Sequence, residues 1–258
     1  MASISRVNVH DRNDRRARPR RSRGRAGRDL VAAGAVVRGY DPAVPASDGV
    51  LDTGSESEAA DGADLVLSVN SASAAVDALE SGVATAAMWA DLNTASPGTK
   101  RRLAGIATAH GVPFADVAIM APVPGKGLRV PMLATGEAAE RVAQILRPFG
   151  ASVEVMSGPA GLAAERKLLR SVFFKGMAAA VVEALTAARA AGCEDWLREI
   201  VENELTNADA STVERLVSGS YRHARRRTAE MAAAAEMLDE LGVAADVAGA
   251  ARDHLARL

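Results

Sequence analysis

The chain has 258 residues, a formal net charge of -1 and 48% hydrophobic residues, with only 3% aromatics. This length allows two domains, and the balanced charge gives the folded part no general attraction for nucleic acid or acidic membranes. A single cysteine, Cys193, excludes a disulfide framework and a cysteine-rich metal cluster. No apolar run approaches the about 20 residues of a membrane-spanning helix, so we expect no membrane span. The single cysteine is consistent with a reducing cytoplasm, and we expect a cytoplasmic protein without a metal site.

The first 28 residues are rich in arginine and contain almost nothing that a core could bury. Taken literally, residues 1–28 are an aberrant or disordered basic segment that could contact the phosphates of a nucleic acid. Neither an aromatic side chain nor a folded reader domain accompanies the arginines. A nucleic-acid-associated protein with a basic tail is therefore the less favoured alternative.

A helix that ends at Gly34 and a buried strand, AVVRGYD, follow the basic segment. The strand ends at Asp41, and an acid at this place is typical of the second strand of a dinucleotide-binding unit, where it accepts hydrogen bonds from the ribose. The first strand and its glycine-rich phosphate loop should lie about 20 residues earlier. That stretch is rich in arginine, so the first strand and the glycine loop are predicted to be missing.

A shifted reading frame offers an explanation for the missing loop. Arginine codons of the CGN type begin with G when they are read one base later, and glycines then fall at Arg18, Arg20 and Arg23. These positions have the spacing of GxGxxG. We hypothesise that the segment before about Ala26 is an out-of-frame translation of a strand and phosphate loop, which the nucleotide sequence would test.

Strands and helices alternate from Asp41 to Ser157. A loop with a short acidic helix leads to ADLVLSVN, a continuous apolar run that is typical of a buried parallel strand. Later strands are predicted in ATAAMWADLN, VPFADVAIM, RVPMLATG and ASVEVMSG. Ligands of open parallel sheets bind at the carboxyl ends of the strands. The polar residues that follow two of these strands are therefore candidates for cofactor contacts: Asn70, Ser71, Asn93 and Thr94.

The loop APVPGKG is a candidate anion-binding turn. Gly125, Lys126 and Gly127 could bring backbone amides and one positive charge to an anion. A solvated turn fits the same spacing.

A long helix is predicted between Gly158 and Gly192, because apolar residues recur there at spacings of three and four. Lys167 and Ser171 lie one turn apart on this helix, so they share a face, either as a solvated pair or as a catalytic pair. Only helices are predicted beyond Ser157. The sequence thus indicates a dinucleotide-binding domain at residues 29–157 and an all-α domain at residues 158–258.

The order of these motifs resembles that of the β-hydroxyacid dehydrogenases, the superfamily of 3-hydroxyisobutyrate and 6-phosphogluconate dehydrogenases. The stretches KLLRSVFFKGM and SGSYRHARRRTAEM resemble in particular a branch with an NAD-binding, phosphogluconate dehydrogenase-like carboxyl-terminal domain. The resemblance covers residues 28–258. It implies a Rossmann-type α/β domain joined by a long interdomain helix to an all-α domain. The motifs that carry it are VVRGYDP, ADLVLSVN, ADLNTASPGTK, DVAIMAPVPGKG and GLAAERKLLRS.

The resemblance also implies an NAD(P)-dependent oxidoreductase that acts on the alcohol or carbonyl of a small hydroxy-acid-like substrate. In this family a lysine at the place of Lys167 is the general acid/base. The family commonly has asparagine one turn later, where this chain has Ser171, preceded by Arg170. Its Ser-Gly-Gly substrate loop corresponds here to a segment that contains Gly125 and Lys126.

These departures indicate a more anionic substrate than 3-hydroxyisobutyrate, because Arg170 and Lys126 suit a second carboxylate or a phosphate. Asp41 implies NAD rather than NADP, since a 2'-phosphate would meet a carboxylate, although nearby Arg38 leaves NADP open. A homodimer is expected, because so small an apolar helical domain seldom covers itself. If residues 1–28 are real protein, the chain is instead a cofactor-binding-defective remnant of the family.

Overall fold

A computed structural model describes residues 6–10 and 23–258, with side chains from Ala26 onward. The chain divides into two compact units, of which the first ends at Leu169 and the second comprises Arg170–Leu258. Among the described residues, no helix has the length and hydropathy needed to cross a membrane.

The first unit is built on one sheet, whose strands within the described residues number eight. The bounds are β1 (Arg6–His10), β2 (Val36–Tyr40), β3 (Leu51–Asp52), β4 (Leu65–Ser68), β5 (Trp89–Asp91), β6 (Phe114–Ile119), β7 (Met132–Thr135) and β8 (Val153–Val155). In space the strands follow the order β3-β2-β1-β4-β5-β6-β7-β8. The order reverses between β1 and β4, and such a reversal is where open α/β sheets bind ligands.

The observed β1 corrects the expectation that the first strand is missing. Arg6–His10 pairs in parallel with both β2 and β4. Its sequence, RVNVH, alternates polar residues with β-branched valines, which favours a strand, but the arginines that follow dominate the composition of the segment. The predicted aberrant or disordered segment 1–28 thus contains a strand. The predicted glycine positions Arg18 and Arg20 lie outside the described residues.

The sheet also departs from a purely parallel one, because β6 and β7 are antiparallel. The connection between Ile119 and Met132 contains one short 3-10 turn, at Gly127–Arg129, and no α-helix. A parallel neighbour needs a crossover connection, usually a helix, that brings the chain back to the starting edge. Without one, β7 returns beside β6 in the opposite direction.

Helices cover both faces of the sheet. Along β4, Leu65 and Leu67 pack into one core and Val66 packs into the other, as the alternation of side chains in a strand requires. The helices before the second unit are α1 (Arg23–Ala32), α2 (Glu56–Ala60), α3 (Ala75–Gly82), α4 (Pro97–Ala109) and α5 (Ala139–Leu146).

The predicted long helix is confirmed as α6 (Leu162–Ala190). Gly161, with φ +100°, precedes it, and Gly192, with φ +75°, follows it. The division between the two compact units falls inside this helix, after Leu169, whereas the sequence pattern predicts a domain boundary at residues 157/158.

The second unit consists of the rest of α6 and four shorter helices. Its small core contains Ala187, Ala235, Leu238 and Ala248. The carboxylate of Glu183 accepts hydrogen bonds from the backbone N–H groups of Val247 and Ala248, at 2.7 and 2.8 Å. Glu183, which lies on α6, therefore caps the start of the last helix of the chain. The bounds are α7 (Glu194–Thr206), α8 (Ala210–Arg222), α9 (Ala224–Glu240) and α10 (Asp246–Leu255).

Candidate functional site

Two asparagines meet at the carboxyl ends of β4 and β5. The backbone N–H of Asn70 donates to Oδ1 of Asn93, and Nδ2 of Asn93 donates to Oδ1 of Asn70. Nδ2 of Asn93 also lies within hydrogen-bond distance of Oγ of Ser68, at 3.2 Å, and of Oδ2 of Asp91, at 2.6 Å. Two neighbouring strand ends are thereby joined by side chains as well as by the backbone ladder.

These contacts leave one buried donor without an acceptor. Because a backbone N–H fixes Oδ1 of Asn93 as the acceptor, the orientations of both amides follow from the network. Nδ2 of Asn70 then has no hydrogen-bond partner, although Asn70 is only 7% exposed. Buried polar groups are almost always paired, so this donor fits an acceptor oxygen of a bound ligand.

A buried lysine, Lys100 of α4, lies behind the asparagines. Its Nζ donates to the backbone oxygen and to Oδ1 of Asp91, at 2.8 and 2.6 Å, and lies 2.9 Å from Oδ1 of Asp116. All three residues are fully buried. Three oxygens, two from Asp91 and one from Asp116, therefore surround the ammonium group.

Burial alone lowers the pKa of Lys100, but the charges of Asp91 and Asp116 and the hydrogen bonds to them outweigh it, so the net pKa is raised above its ordinary 10.5. Lys100 therefore stays charged at neutral pH. A cation that is always charged and has no access to solvent serves structure rather than proton transfer.

Sequence reasoning missed Lys100, Asp91 and Asp116. A signal was present, because Lys100 shares the buried face of α4 with Leu103 and Ala107, at spacings of three and seven. A lysine within an apolar stripe indicates either a buried ion pair or a stem that reaches the surface. One sequence does not decide between them, because the partners come from two distant strands.

Two strand residues cap the first turn of α6. Oδ2 of Asp116 accepts hydrogen bonds from the N–H groups of Gly161 and Ala164, at 3.1 and 2.9 Å. Oγ1 of Thr135 accepts one from Ala163 at 3.2 Å. These contacts satisfy donors that a helix leaves unpaired at its start, and they place a negative charge where the helix dipole favours it.

The predicted general acid/base, Lys167, is half-buried in the second turn of α6, three residues after the capped Ala164. Ser171 lies one turn further along the same helix and is also half-buried. Arg170 is exposed, and its guanidinium carbon lies 4.3 Å from the ring centre of Phe174. Arg170 thus makes a cation–π contact with Phe174.

The predicted anion turn borders a cavity of about 540 Å³ in the first unit. Gly125 and Lys126 line it together with two more basic residues, Arg28 and Arg129, and one acid, Asp29. Lys167 is not among the lining residues. The first unit therefore presents a cationic cavity and Lys167 as separate features.

Residues 188–258 match a family model described as "Domain of unknown function (DUF1932)", the C-terminal domain of 3-hydroxyacid and 6-phosphogluconate dehydrogenase-like dehydrogenases. A curated relative from Methanothermus fervidus, an uncharacterized 28.5 kDa protein in the 7S RNA 5' region, is 31% identical over 169 residues. The alignment spans 65% of this chain and 65% of that relative.

Solved structures agree with this match. A conserved protein of unknown function, reported as structurally similar to 3-hydroxyacid dehydrogenases, is 28% identical, with a TM-score of 0.62 over 97% of this chain and 96% of the other. The fold is that of the β-hydroxyacid dehydrogenases. A reductive aminase from Aspergillus terreus in complex with NADPH shares this fold at 16% identity, with a TM-score of 0.76 over 99% and 93% of the two chains. The resemblance expected from the motif order is confirmed.

Within this β-hydroxyacid dehydrogenase fold, the remaining predicted cofactor residues lie at or near strand ends. Asp41 directly follows β2, and its Oδ1 accepts the N–H of Ala43 at 2.7 Å. Oγ of Ser71 lies 3.3 Å from the N–H of Ala74, just before α3, and Thr94 is exposed after β5. The described residues contain no cluster of His, Cys, Asp and Glu that could hold a metal ion.

Proposed function

We propose that the chain is a nicotinamide-dependent oxidoreductase that acts on the alcohol or carbonyl group of a small, anionic, hydroxy-acid-like substrate. The main support is the unpaired Nδ2 of Asn70, which lies at the carboxyl edge of the sheet near the reversal of strand order. A dinucleotide offers phosphate and ribose oxygens that this donor can bind. When bound, the nicotinamide supplies or accepts the hydride.

NAD is the proposed cofactor, and NADP is the alternative. Asp41 after β2 suits the ribose hydroxyls of NAD and disfavours a 2'-phosphate. Arg38 could offset that preference, but its Nη1 donates to the backbone oxygen of Glu58 at 3.2 Å. This contact directs the guanidinium towards α2 and supports NAD.

Binding of NADH and NADPH tests the proposal. At about a hundredfold excess over the Kd, a ligand raises the free energy of unfolding by about 2.7 kcal/mol, which should raise the Tm by about 5 °C or more. We expect this shift with NADH in differential scanning fluorimetry, and a smaller one with NADPH. No shift with either cofactor would contradict the proposed function and support the cofactor-binding-defective alternative.

The variant Asp41→Ser provides an internal control for the site of binding. Removing the carboxylate should raise the affinity for NADPH relative to NADH by about tenfold, equivalent to about 1.4 kcal/mol. Asp61→Ser, which removes a carboxylate at the end of α2, should leave the ratio unchanged. An unchanged ratio in Asp41→Ser would place the adenosine end of the cofactor elsewhere.

In this proposal Lys167 exchanges a proton with the oxygen of the substrate. Support comes from its half-buried position on a helix whose first turn is fixed to the sheet by Asp116 and Thr135. A catalytic group held by a rigid element is positioned better than one on a loop. The anionic character of the substrate is supported by Arg170, three residues after Lys167 on α6. The cationic cavity around Lys126 does not include Lys167 and supports an anion site within the first unit.

We also propose that the chain forms a homodimer through its second unit. Helix α8 carries an exposed apolar stripe at spacings of three and four residues, and exposed patches of this kind are typical of association surfaces. The stripe consists of Val213, Leu216, Val217 and Tyr221, each more than half exposed.

Replacement of Leu216 by glutamate should therefore convert a dimer into a monomer. A charge at the centre of an apolar interface is desolvated without a partner, which weakens association by about 2 kcal/mol or more. Light scattering after size-exclusion chromatography measures the mass. Arg215→Glu, which changes the charge of the neighbouring residue outside the stripe, is the matched control. A monomeric wild-type chain would contradict the proposed dimer. A dimeric Leu216→Glu variant would remove α8 from its interface.

A further inference from the structure

A continuous chain of buried polar contacts joins two parts of the proposed site. It begins at the first turn of α6, where Gly161 and Ala164 donate to Asp116, and passes through Lys100 to Asp91. From Asp91 it continues through Asn93 to Asn70. One end therefore lies three residues before Lys167, and the other end is the unpaired amide of Asn70.

The charges of this chain depend on one another. Asp91 and Asp116 carry one negative charge more than Lys100 neutralises, and all three are fully buried. The excess is offset by N–H donors, namely Nδ2 of Asn93 on Asp91 and the start of α6 on Asp116. Since each carboxylate is shared between Lys100 and one end of the chain, a change at Lys100 reaches both ends.

Lys100 itself touches neither end. Its contacts are with the backbone and side chain of Asp91 and with the side chain of Asp116. We propose that Lys100 is a positioning residue, which holds the Asn93–Asn70 amide pair through Asp91 and the first turn of α6 through Asp116. The relevance of this role to turnover rests on the proposed function, whereas the structural coupling does not.

Hydrogen exchange in a Lys100→Met variant of the full chain tests the coupling without any ligand. The backbone N–H of Asn70 and those of Gly161 and Ala164 should exchange about tenfold faster or more, as expected when a buried hydrogen bond is weakened. NMR resolves these amides and also the side-chain NH2 resonances of Asn93, which should shift. Amides of α9 and α10 in the second unit should accelerate less than these amides, by no more than the loss of global stability accounts for.

Arg102→Met, on the exposed face of the same helix, is the matched control and should change none of these rates. Faster exchange confined to α4, or equal acceleration throughout the chain, would overturn the proposal, because Lys100 would then contribute only to general stability.

A second variant keeps the test decisive if Lys100→Met does not fold. Asp116→Asn weakens the contacts on the α6 side and leaves the Lys100–Asp91 pair in place. Exchange should rise at Gly161 and Ala164 and stay at the wild-type rate at Asn70. Faster exchange at Asn70 in this variant, or unchanged exchange at Gly161 and Ala164, would contradict the proposal that Lys100 acts on the two ends through separate carboxylates.

Cofactor titration separates this inference from the proposed function. If the wild-type chain binds NADH, Lys100→Met should raise the Kd by about tenfold, because the Asn70 donor is less well held, while Arg102→Met should not. Absence of binding in the wild type would contradict the proposed function, and hydrogen exchange alone would still decide the role of Lys100. An unchanged Kd in a Lys100→Met protein that binds NADH would overturn the role of Lys100 in the cofactor site.

Discussion

Replacement of Lys100 by methionine should lower the free energy of unfolding by about 3–5 kcal/mol, the usual effect of removing one partner from a buried ion pair. The variant leaves Asp91 and Asp116 buried on neighbouring strands without the cation between them. Chemical unfolding measured by tryptophan fluorescence is suitable, because Trp89 is fully buried on β5 beside Asp91.

A second substitution can check that this loss of stability comes from the buried charges. In the Lys100→Met background, Asp116→Asn removes one of the two like charges and should recover part of the lost stability. In the wild-type background the same substitution should be destabilising. The control Arg102→Met should change the free energy of unfolding by no more than about 0.5 kcal/mol. A loss below about 1 kcal/mol in Lys100→Met would show that the ion cluster contributes little.

The effect should also depend on pH in one direction. Because the folded-state pKa of Lys100 is raised above the ordinary 10.5, its stabilising contribution is present in full below pH 10.5 and is lost as the pH rises through the folded-state pKa. The difference between wild type and Lys100→Met should be constant from about pH 7 to pH 10 and should shrink at higher pH. A difference that grows above pH 10.5 would contradict this assignment.

Replacement of Lys167 by methionine should reduce kcat by about 10²–10⁴-fold, the range expected for loss of a general acid/base. Methionine keeps the apolar stem of the side chain, is one atom shorter and lacks the proton-exchanging group. A panel of small carbonyl compounds that carry a carboxylate or phosphate, with NADH or NADPH, first identifies a substrate. Steady-state kinetics then measures kcat, and fluorescence titration measures the Kd of the cofactor, which should stay within about twofold of wild type.

Arg166→Met is the matched control for Lys167. Arg166 is exposed, adjacent in sequence and paired with Glu165 at 2.7 Å, so its removal should leave kcat unchanged. Retained turnover in Lys167→Met would remove Lys167 from the chemistry. Loss of cofactor binding in that variant would instead assign Lys167 a binding role.

The architecture followed from the sequence wherever a local pattern was strong. Continuous apolar runs predicted the buried strands, and the spacing of apolar residues between two glycines predicted α6. The strand Arg6–His10 was missed, because five residues of alternating pattern stand beside an arginine-rich stretch. The direction of β7 was missed as well, since it depends on the absence of a crossover helix between Ile119 and Met132 rather than on any property of the strand itself.

The candidate site was predicted only where its residues follow strands directly. Asn70 and Asn93 were selected as polar residues at strand ends, and the structure brings them into contact. Lys100, Asp116 and Thr135 were not selected, because their role comes from contacts between elements that are distant in sequence. The pairing of Asp116 with Thr135 requires the antiparallel register of β6 and β7, which the sequence pattern did not specify.

The clamped start of α6 has a consequence for insertions and deletions. The helix runs without interruption from Leu162 to Ala190, while its first turn is fixed by Asp116 and Thr135. One residue added between Ala164 and Lys167 would turn every later side chain by about 100° around the helix axis and move it by about 1.5 Å along it. Since the start cannot rotate in compensation, Lys167 would leave its present face together with Arg170. An insertion in the loop after Asp41 rotates no helix, so changes in chain length should be tolerated better there than in this segment of α6.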